Sequence, residues 1–180
     1  ITVSRLNGSV EFPADFMLVA SRNPCRCGYF PDPTRCRCSE REVTNYLHKI
    51  SRPLLDRIDL HVQVRRMEYE ELVKGGEEET SASIRQRVLK AHELQTERYR
   101  DTSFRFNADL TAAAFGRFCA LDHESERTMK QIYESRHLTA RAYHRMIKVA
   151  RTIADLAGSE RIEMKHLGEA VLYRPEESLM

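Results

Sequence analysis

Four cysteines, Cys25, Cys27, Cys36 and Cys38, form two Cys-x-Cys pairs separated by eight residues. Four thiolates in so short a loop can surround a tetrahedral zinc ion, although the common structural knuckle spaces each pair by two residues rather than one. Reduced thiols without metal and disulfides are the competing states of the cluster, and His48 and His61 are candidate substitute ligands that also read as surface residues. Just ahead of the cysteines, the apolar run 16–20 (Phe-Met-Leu-Val-Ala) ends at Ser21-Arg22-Asn23-Pro24. A buried strand ending in an amide fixed by proline delivers Asn23 to a sheet edge, where ligands of open α/β folds bind. There the amide can orient a water or touch a γ-phosphate; the competing reading is a turn-forming Asx residue before proline.

Two arginines complete the set. In Pro53-Leu54-Leu55-Asp56-Arg57-Ile58-Asp59 a guanidinium stands among apolar residues just before a strand-like segment. Arg57 could therefore stabilise phosphoryl-transfer charge on a neighbouring subunit, or simply pair with Asp56 or Asp59. Arg141 falls in the first turn of a predicted helix, where the dipole makes a cation slightly unfavourable. It either has an anionic partner or is a solvent-exposed helix arginine. The sequence contains no G-x-x-x-x-G-K-[ST], H-E-x-x-H or G-x-S-x-G motif, and no apolar strand ending in paired carboxylates.

The elements that must position these groups follow from pattern. Ile1 to Arg5 and Ser9 to Phe12 are β-rich and flank Asn7-Gly8, a strong hairpin signal. Pro13 and Asp15 punctuate the chain before the run 16–20, whose continuous hydrophobicity fits a strand covered on both faces. Ser39 and Glu42 make a capping-box pattern, predicting a helix over 40–50. Leu60, Val62 and Val64 alternate with His61 and Gln63, which reads as a strand. From Met67 to Thr80 the chain is acidic, contains Gly75-Gly76 and lacks a sustained apolar pattern, which marks a linker. Everything beyond reads as helical. Ser83 starts a helix with Ile84, Val88, Ala91 and Leu94; Asn107 caps one with Leu110, Ala114 and Phe118; Met129, Ile132 and Tyr133 lie on a third. Thr139 starts a fourth that carries Tyr143, Met146, Ile147, Ala150, Ile153 and Leu156 and stops at Gly158, and a short final helix carries Leu167, Ala170 and Val171.

Length and composition bound the possibilities. A chain of 180 residues with 41% hydrophobic content can bury one or two ordinary cores. No apolar run approaches the roughly 20 residues that span a bilayer, and no signal-type segment opens the sequence, so a cytoplasmic location is expected. Five cysteines, four of them in one basic loop, are unlike the even spread of a secreted disulfide framework. The net charge of +2 is small, but Arg22, Arg26, Arg35, Arg37, Arg41 and Arg52 crowd near the cysteines. The absence of an initiator Met from a strand-like start leads us to expect that the chain begins inside a longer protein.

In combination, Phe-Met-Leu-Val-Ala, Asn-Pro-Cys-x-Cys-Gly, Pro-Leu-Leu-Asp-Arg-Ile-Asp-Leu, Leu-Thr-Ala-Arg-Ala-Tyr and Val-Ala-Arg-Thr-Ile-Ala-Asp-Leu resemble the magnesium-chelatase-like branch of the AAA+ ATPases. Within it, the match is to the ComM/YifB family of bacterial competence-related ATPases, and it covers nearly the whole chain. The chain departs from that pattern at Ser21-Arg22 and at Arg52. The resemblance implies an α/β plus all-α fold: residues 1–65 as the C-terminal part of an AAA+ nucleotide-binding core, 66–82 as linker and 83–180 as a helical lid. It implies that Asn23 is sensor 1, Arg57 a trans-acting arginine finger and Arg141 the sensor 2 arginine, with ATP and Mg2+ as cofactors and a hexameric ring of identical subunits. Arg5, on the hairpin before sensor 1, then corresponds to a pore residue facing DNA, or is only an exposed hairpin charge. The implied work is DNA translocation or branch migration in uptake or recombination, with no hydrolysis by this piece alone. A chelatase-type motor for metal insertion into a porphyrin, and a non-enzymatic zinc-loop DNA-binding module, are the alternatives.

Overall fold

A two-residue turn at Leu6-Asn7, one residue before the expected Asn-Gly position, folds the start of the chain back on itself. In the computed structural model, β1 (Thr2–Arg5) pairs antiparallel with β2 (Gly8–Glu11), setting Thr2 opposite Glu11 and Arg5 opposite Gly8. The structure describes residues 1–14, 16–65, 67–74 and 79–174. Asp15 and the Gly75-Gly76 pair therefore lie outside the described residues, as do the last six residues of the lid and part of the linker read from sequence. The chain divides into two units, Ile1–Lys49 and Ile50–Met180.

In the first unit, α1 (Glu40–Leu47) opens with the capping box anticipated at Ser39 and Glu42. The Glu42 amide donates to Ser39 Oγ at 3.3 Å, and the Ser39 amide donates to Glu42 Oε2 at 2.9 Å. This cap orients the helix so that Val43 and Leu47 close over Cys25, with Phe30 and Tyr46 at the margin. The small core of this unit is thus the underside of the cysteine loop.

Two expected strands do not form. The run 16–20 is unpaired and open to solvent, with Met17 90% and Val19 86% exposed, and Leu60, Val62 and Val64 are likewise exposed. Apolar content favours burial, but a strand also needs partners for its backbone N–H and C=O groups. Among the described residues neither run has a neighbouring strand; in the second, the His61 N–H donates to the Tyr173 carbonyl at 2.9 Å.

The second unit begins with α2 (Arg52–Leu55), whose early proline suits a first turn. Within the stretch read as linker lies α3 (Tyr69–Lys74), a short run composed mostly of good helix formers. Next, α4 (Ser81–Arg98) starts two residues earlier than the Ser83 reading because Thr80 takes the cap, its hydroxyl accepting from the Ser83 amide. The helix expected from Asn107 is broken into two 3-10 turns and the single-turn α5 (Phe115–Phe118). Asn107 cannot serve as a surface cap because its polar atoms are committed to the interior. α6 (His123–Ser135), α7 (Ala140–Leu156) and α8 (Met164–Leu172) match the pattern, with Gly158 at φ +68 ending α7 in the left-handed region that favours glycine.

The apolar stripe of α7, Met146, Ile147, Ala150 and Ile153, forms the centre of this unit and meets Met129, Ile162, Leu167 and Ala170. Beside it lies a buried polar knot. Asp155 accepts from Arg98 Nη1 at 2.9 Å, Arg151 Nε at 3.1 Å and Asn107 Nδ2 at 2.8 Å. Asn107 Oδ1 accepts from Tyr99 Oη at 2.6 Å, and the Asn107 backbone N–H donates to Gln95 Oε1 at 2.8 Å. The knot ties α4, α7 and the first 3-10 turn together. Among the described residues no helix is long and apolar enough to cross a membrane.

Candidate metal centre and exposed arginines

The cysteine loop owes its shape to backbone geometry. Gly28, at φ +84, turns the chain so that its amide donates to the Cys25 carbonyl at 3.1 Å, a conformation that L side chains rarely adopt. Asp32 then fixes the far side, its Oδ1 accepting from the Thr34 amide at 2.8 Å and the Arg35 amide at 3.2 Å. These turns gather all four sulphurs within 4.8 Å of one another. Cys25 lies 3.3 Å from Cys27 and 3.8 Å from Cys36, and Cys27 is 3.6 Å from Cys36. Ligand bonds of about 2.3 Å in a tetrahedron put sulphurs about 3.8 Å apart, so this donor set fits zinc. The separations also exceed a disulfide bond, and all five cysteines of the chain are free thiols.

The electrostatics of the cluster are divided. The Phe30 amide donates to Cys25 Sγ at 3.4 Å. Burial raises the Cys25 thiol, but that amide and those of Gly28 and Tyr29 outweigh it and the net direction is down. The amides of Tyr29 and Arg37 bring Cys27 down to about 6. Cys36 is pushed up to about 12: the Cys38 amide acts downwards, but burial and the crowding of Cys27 and Cys25 outweigh it. Cys38 also moves up, its bond from the Cys27 amide being outweighed by the Cys27 thiol, burial and Cys25. Two sulphurs thus favour the thiolate at the expense of their neighbours, a conflict that a central divalent cation removes. The four cysteines could therefore coordinate a metal. Cys119, by contrast, is buried alone in the helical unit, where burial pushes it up to about 11, the environment of an inert thiol.

Of the other predicted residues in the first unit, Arg5 is exposed at the hairpin end. Asn23 is also exposed, and its amide group lies 3.9 Å from where a Cβ on Gly28 would stand. It borders the cysteine loop at the end of an unpaired segment rather than of a sheet strand.

In the second unit the carboxylates that could have paired locally with Arg57 are engaged elsewhere. Asp59 pairs with Arg145, and Asp56 lies 3.8 Å from Arg174. The Arg57 guanidinium is exposed and donates from Nη1 to the Pro53 carbonyl at 2.9 Å. The segment carrying it is strapped to the helical bundle: the His61 N–H donates to the Tyr173 carbonyl at 2.9 Å, and Arg174 Nη1 donates to the Ile58 carbonyl at 3.3 Å. Arg141, the second residue of α7, is exposed and makes no polar contact among the described residues. A cavity of about 90 Å³ lies between these two places, lined by Arg52, Asp56, Arg136, Thr139, Ala142 and Arg174 among others. Arg57 directly follows one lining residue and Arg141 directly precedes another. Sequence reasoning missed Arg136, Arg145 and Arg174, which carry no local signal: their partners or neighbours are distant in the chain.

Residues 1–72 match the family model described as magnesium chelatase, subunit ChlI, and residues 78–174 match magnesium chelatase, subunit ChlI C-terminal. Competence protein ComM of Haemophilus influenzae is 39% identical over 175 residues, covering 97% of this chain and 33% of that protein. The uncharacterized protein YifB is 35% identical in Escherichia coli and 34% in Salmonella typhimurium, in each case over all of this chain and 35% of the relative. The chain thus spans about a third of the length of the curated relatives it matches. With a mixed β and helical piece ahead of an all-helical bundle, the chain belongs to the magnesium-chelatase-like AAA+ ATPases, in the family of ComM and YifB.

Proposed function

We propose that this chain is the C-terminal part of an AAA+ ATPase that works as a hexameric ring on DNA, moving strands or branch points during uptake or recombination. Residues 1–65 complete the α/β nucleotide core, 66–82 link it to the lid, and 83–180 form the lid. The carrying observation is the state of Arg57: both flanking carboxylates are engaged by other arginines, and its own exposed guanidinium rests on a carbonyl. A cation held by a neutral acceptor keeps its full charge for an incoming phosphate. Arg141, without a polar contact among the described residues, has the same freedom.

Bound ATP with Mg2+ supplies the phosphoryl group whose transfer to water drives such a motor. Asn23 orients the attacking water through its amide. Arg57, acting on a neighbouring subunit's nucleotide, and Arg141, from the lid, offset the charge that develops on the transferred group. Residues of this chain supply only that half of the site, and the phosphate loop and Mg2+-binding carboxylates belong to the remainder of the full-length protein. Arg5 meets DNA at the pore. The four cysteines hold a structural zinc ion that clamps the loop beside Asn23, in a reducing, cytoplasmic setting.

A DNA-stimulated ATPase assay on the full-length protein tests the reading, with turnover expected to rise on adding single- or double-stranded DNA. No rise with either would favour a chelatase-type motor, the activity to which the matched family models owe their description.

A further inference from the structure

In both Cys-x-Cys pairs the central residue is arginine: Cys25-Arg26-Cys27 and Cys36-Arg37-Cys38. Convergence of the four sulphurs within 4.8 Å therefore does more than close a loop. Each arginine is bonded on both sides to a cysteine of the cluster, and adjacent Cα atoms are about 3.8 Å apart, so two guanidinium stems must rise from one small knob. Both side chains are exposed, as is that of Arg41 in the first turn of α1. Between the two pairs lies Tyr29, 46% exposed, with Phe30 behind it against the loop's core.

Two of the nearby acids, Asp32 and Glu42, are held by local hydrogen bonds, Glu42 also within electrostatic reach of Arg26, while Glu40 is exposed. Asp32 Oδ1 accepts from the Thr34 hydroxyl at 2.7 Å as well as from two amides, and Arg35 is drawn to Asp32 Oδ2 at 3.8 Å. Glu42 Oε2 accepts from the Ser39 amide and hydroxyl, both at 2.9 Å. What the knob offers outward is an aromatic face among cations. This combination suits single-stranded nucleic acid, whose phosphates attract arginine and whose unstacked bases need a platform.

We propose that the paired Cys-Arg-Cys turns form a contact for single-stranded nucleic acid, with Arg26 and Arg37 holding phosphates and Tyr29 stacking on a base. This inference rests on the DNA-motor reading and gives it a second contact, separate from Arg5. A purely structural alternative is that the arginines neutralise the dianion formed by zinc and four thiolates. In that case their loss would release metal and leave nucleic-acid binding intact.

The test is fluorescence anisotropy of a labelled oligothymidylate with the zinc-loaded 180-residue chain, across a series of KCl concentrations. R26Q/R37Q should weaken binding at least about tenfold and flatten the slope of log K against log[salt] by about 1.4, since each single-strand contact contributes about 0.7. Y29A, which keeps every cation and thiol, should weaken binding by about fivefold or more without altering the slope. R26K/R37K should keep the wild-type slope, and zinc content should stay stoichiometric in all three. Wild-type affinity and slope in R26Q/R37Q would overturn the proposal, as would displacement of the DNA by polyglutamate of equal charge, which would mark an acidic-protein surface. Absence of binding by the wild-type chain would overturn it too. DNA-stimulated turnover of the full-length protein is read separately, so the motor reading can survive that failure.

Discussion

Replacing Asp155 by alanine should unfold the helical unit more readily than any substitution at the exposed arginines. The side chain is fully buried, and its carboxylate is the shared acceptor for Arg98, Arg151 and Asn107. Its removal strands the Arg151 guanidinium, which is 2% exposed, with only the Glu160 and Ser159 carbonyls as acceptors at 2.9 and 2.7 Å. Breaking one partner of a buried ion pair costs about 3–5 kcal/mol, because the remaining charge keeps its desolvation penalty without its counter-charge. For a chain of this size that corresponds to a fall in Tm of roughly 6–20 °C. R98A should cost less, since its side chain is 19% exposed and water can reach the site left behind. Urea unfolding followed by far-ultraviolet circular dichroism measures both. A loss below about 1 kcal/mol for D155A, the scale of a surface pair, would refute the view that this knot anchors α4 and the 3-10 turn to α7.

Zinc affinity, measured by competition with a chromophoric chelator, should fall steeply as pH falls. Cys36 and Cys38 have raised proton affinity without metal, so each must lose a proton on binding; the expected dependence is at least about a hundredfold per pH unit through neutral pH. Chelation should lower the melting temperature of wild-type protein but leave a C25S/C27S variant unaffected; equal shifts in both would point to a site elsewhere. His137 sits at φ +46 at the end of α6, where a side chain is strained, so H137G should raise stability by about 0.5–1 kcal/mol in urea unfolding. A destabilised H137G would mean that the ring contributes contacts worth more than the strain.

The helical unit was largely legible in the sequence because its signals are local. Thr139, the apolar stripe of α7 and Gly158 specify one helix without reference to distant residues. Likewise, Ser39 and Glu42 make a cap from two side chains three residues apart. The cysteines' convergence was readable for the same reason, since Gly28 and Asp32 turn the loop within itself. Illegible were features that need a partner far along the chain. The runs 16–20 and 60–64 have strand-like composition but no neighbouring strand among the described residues, and composition cannot report that. Asn107 looked like a cap because nothing nearby reveals Asp155, and a local ion pair of Arg57 stayed open as an alternative because Arg145 and Arg174 lie far beyond it in sequence. The Arg151–Asp155 spacing within an apolar stripe was the one available clue to the buried knot.

Steady-state ATP hydrolysis by the full-length protein carrying R57A, with DNA present, tests the central claim most directly. The account predicts a fall in kcat of about 10³-fold or more with KM little changed, because the arginine acts on transition-state charge and not on nucleotide capture. Turnover within about threefold of wild type would show that Arg57 does not act on the transferred phosphate.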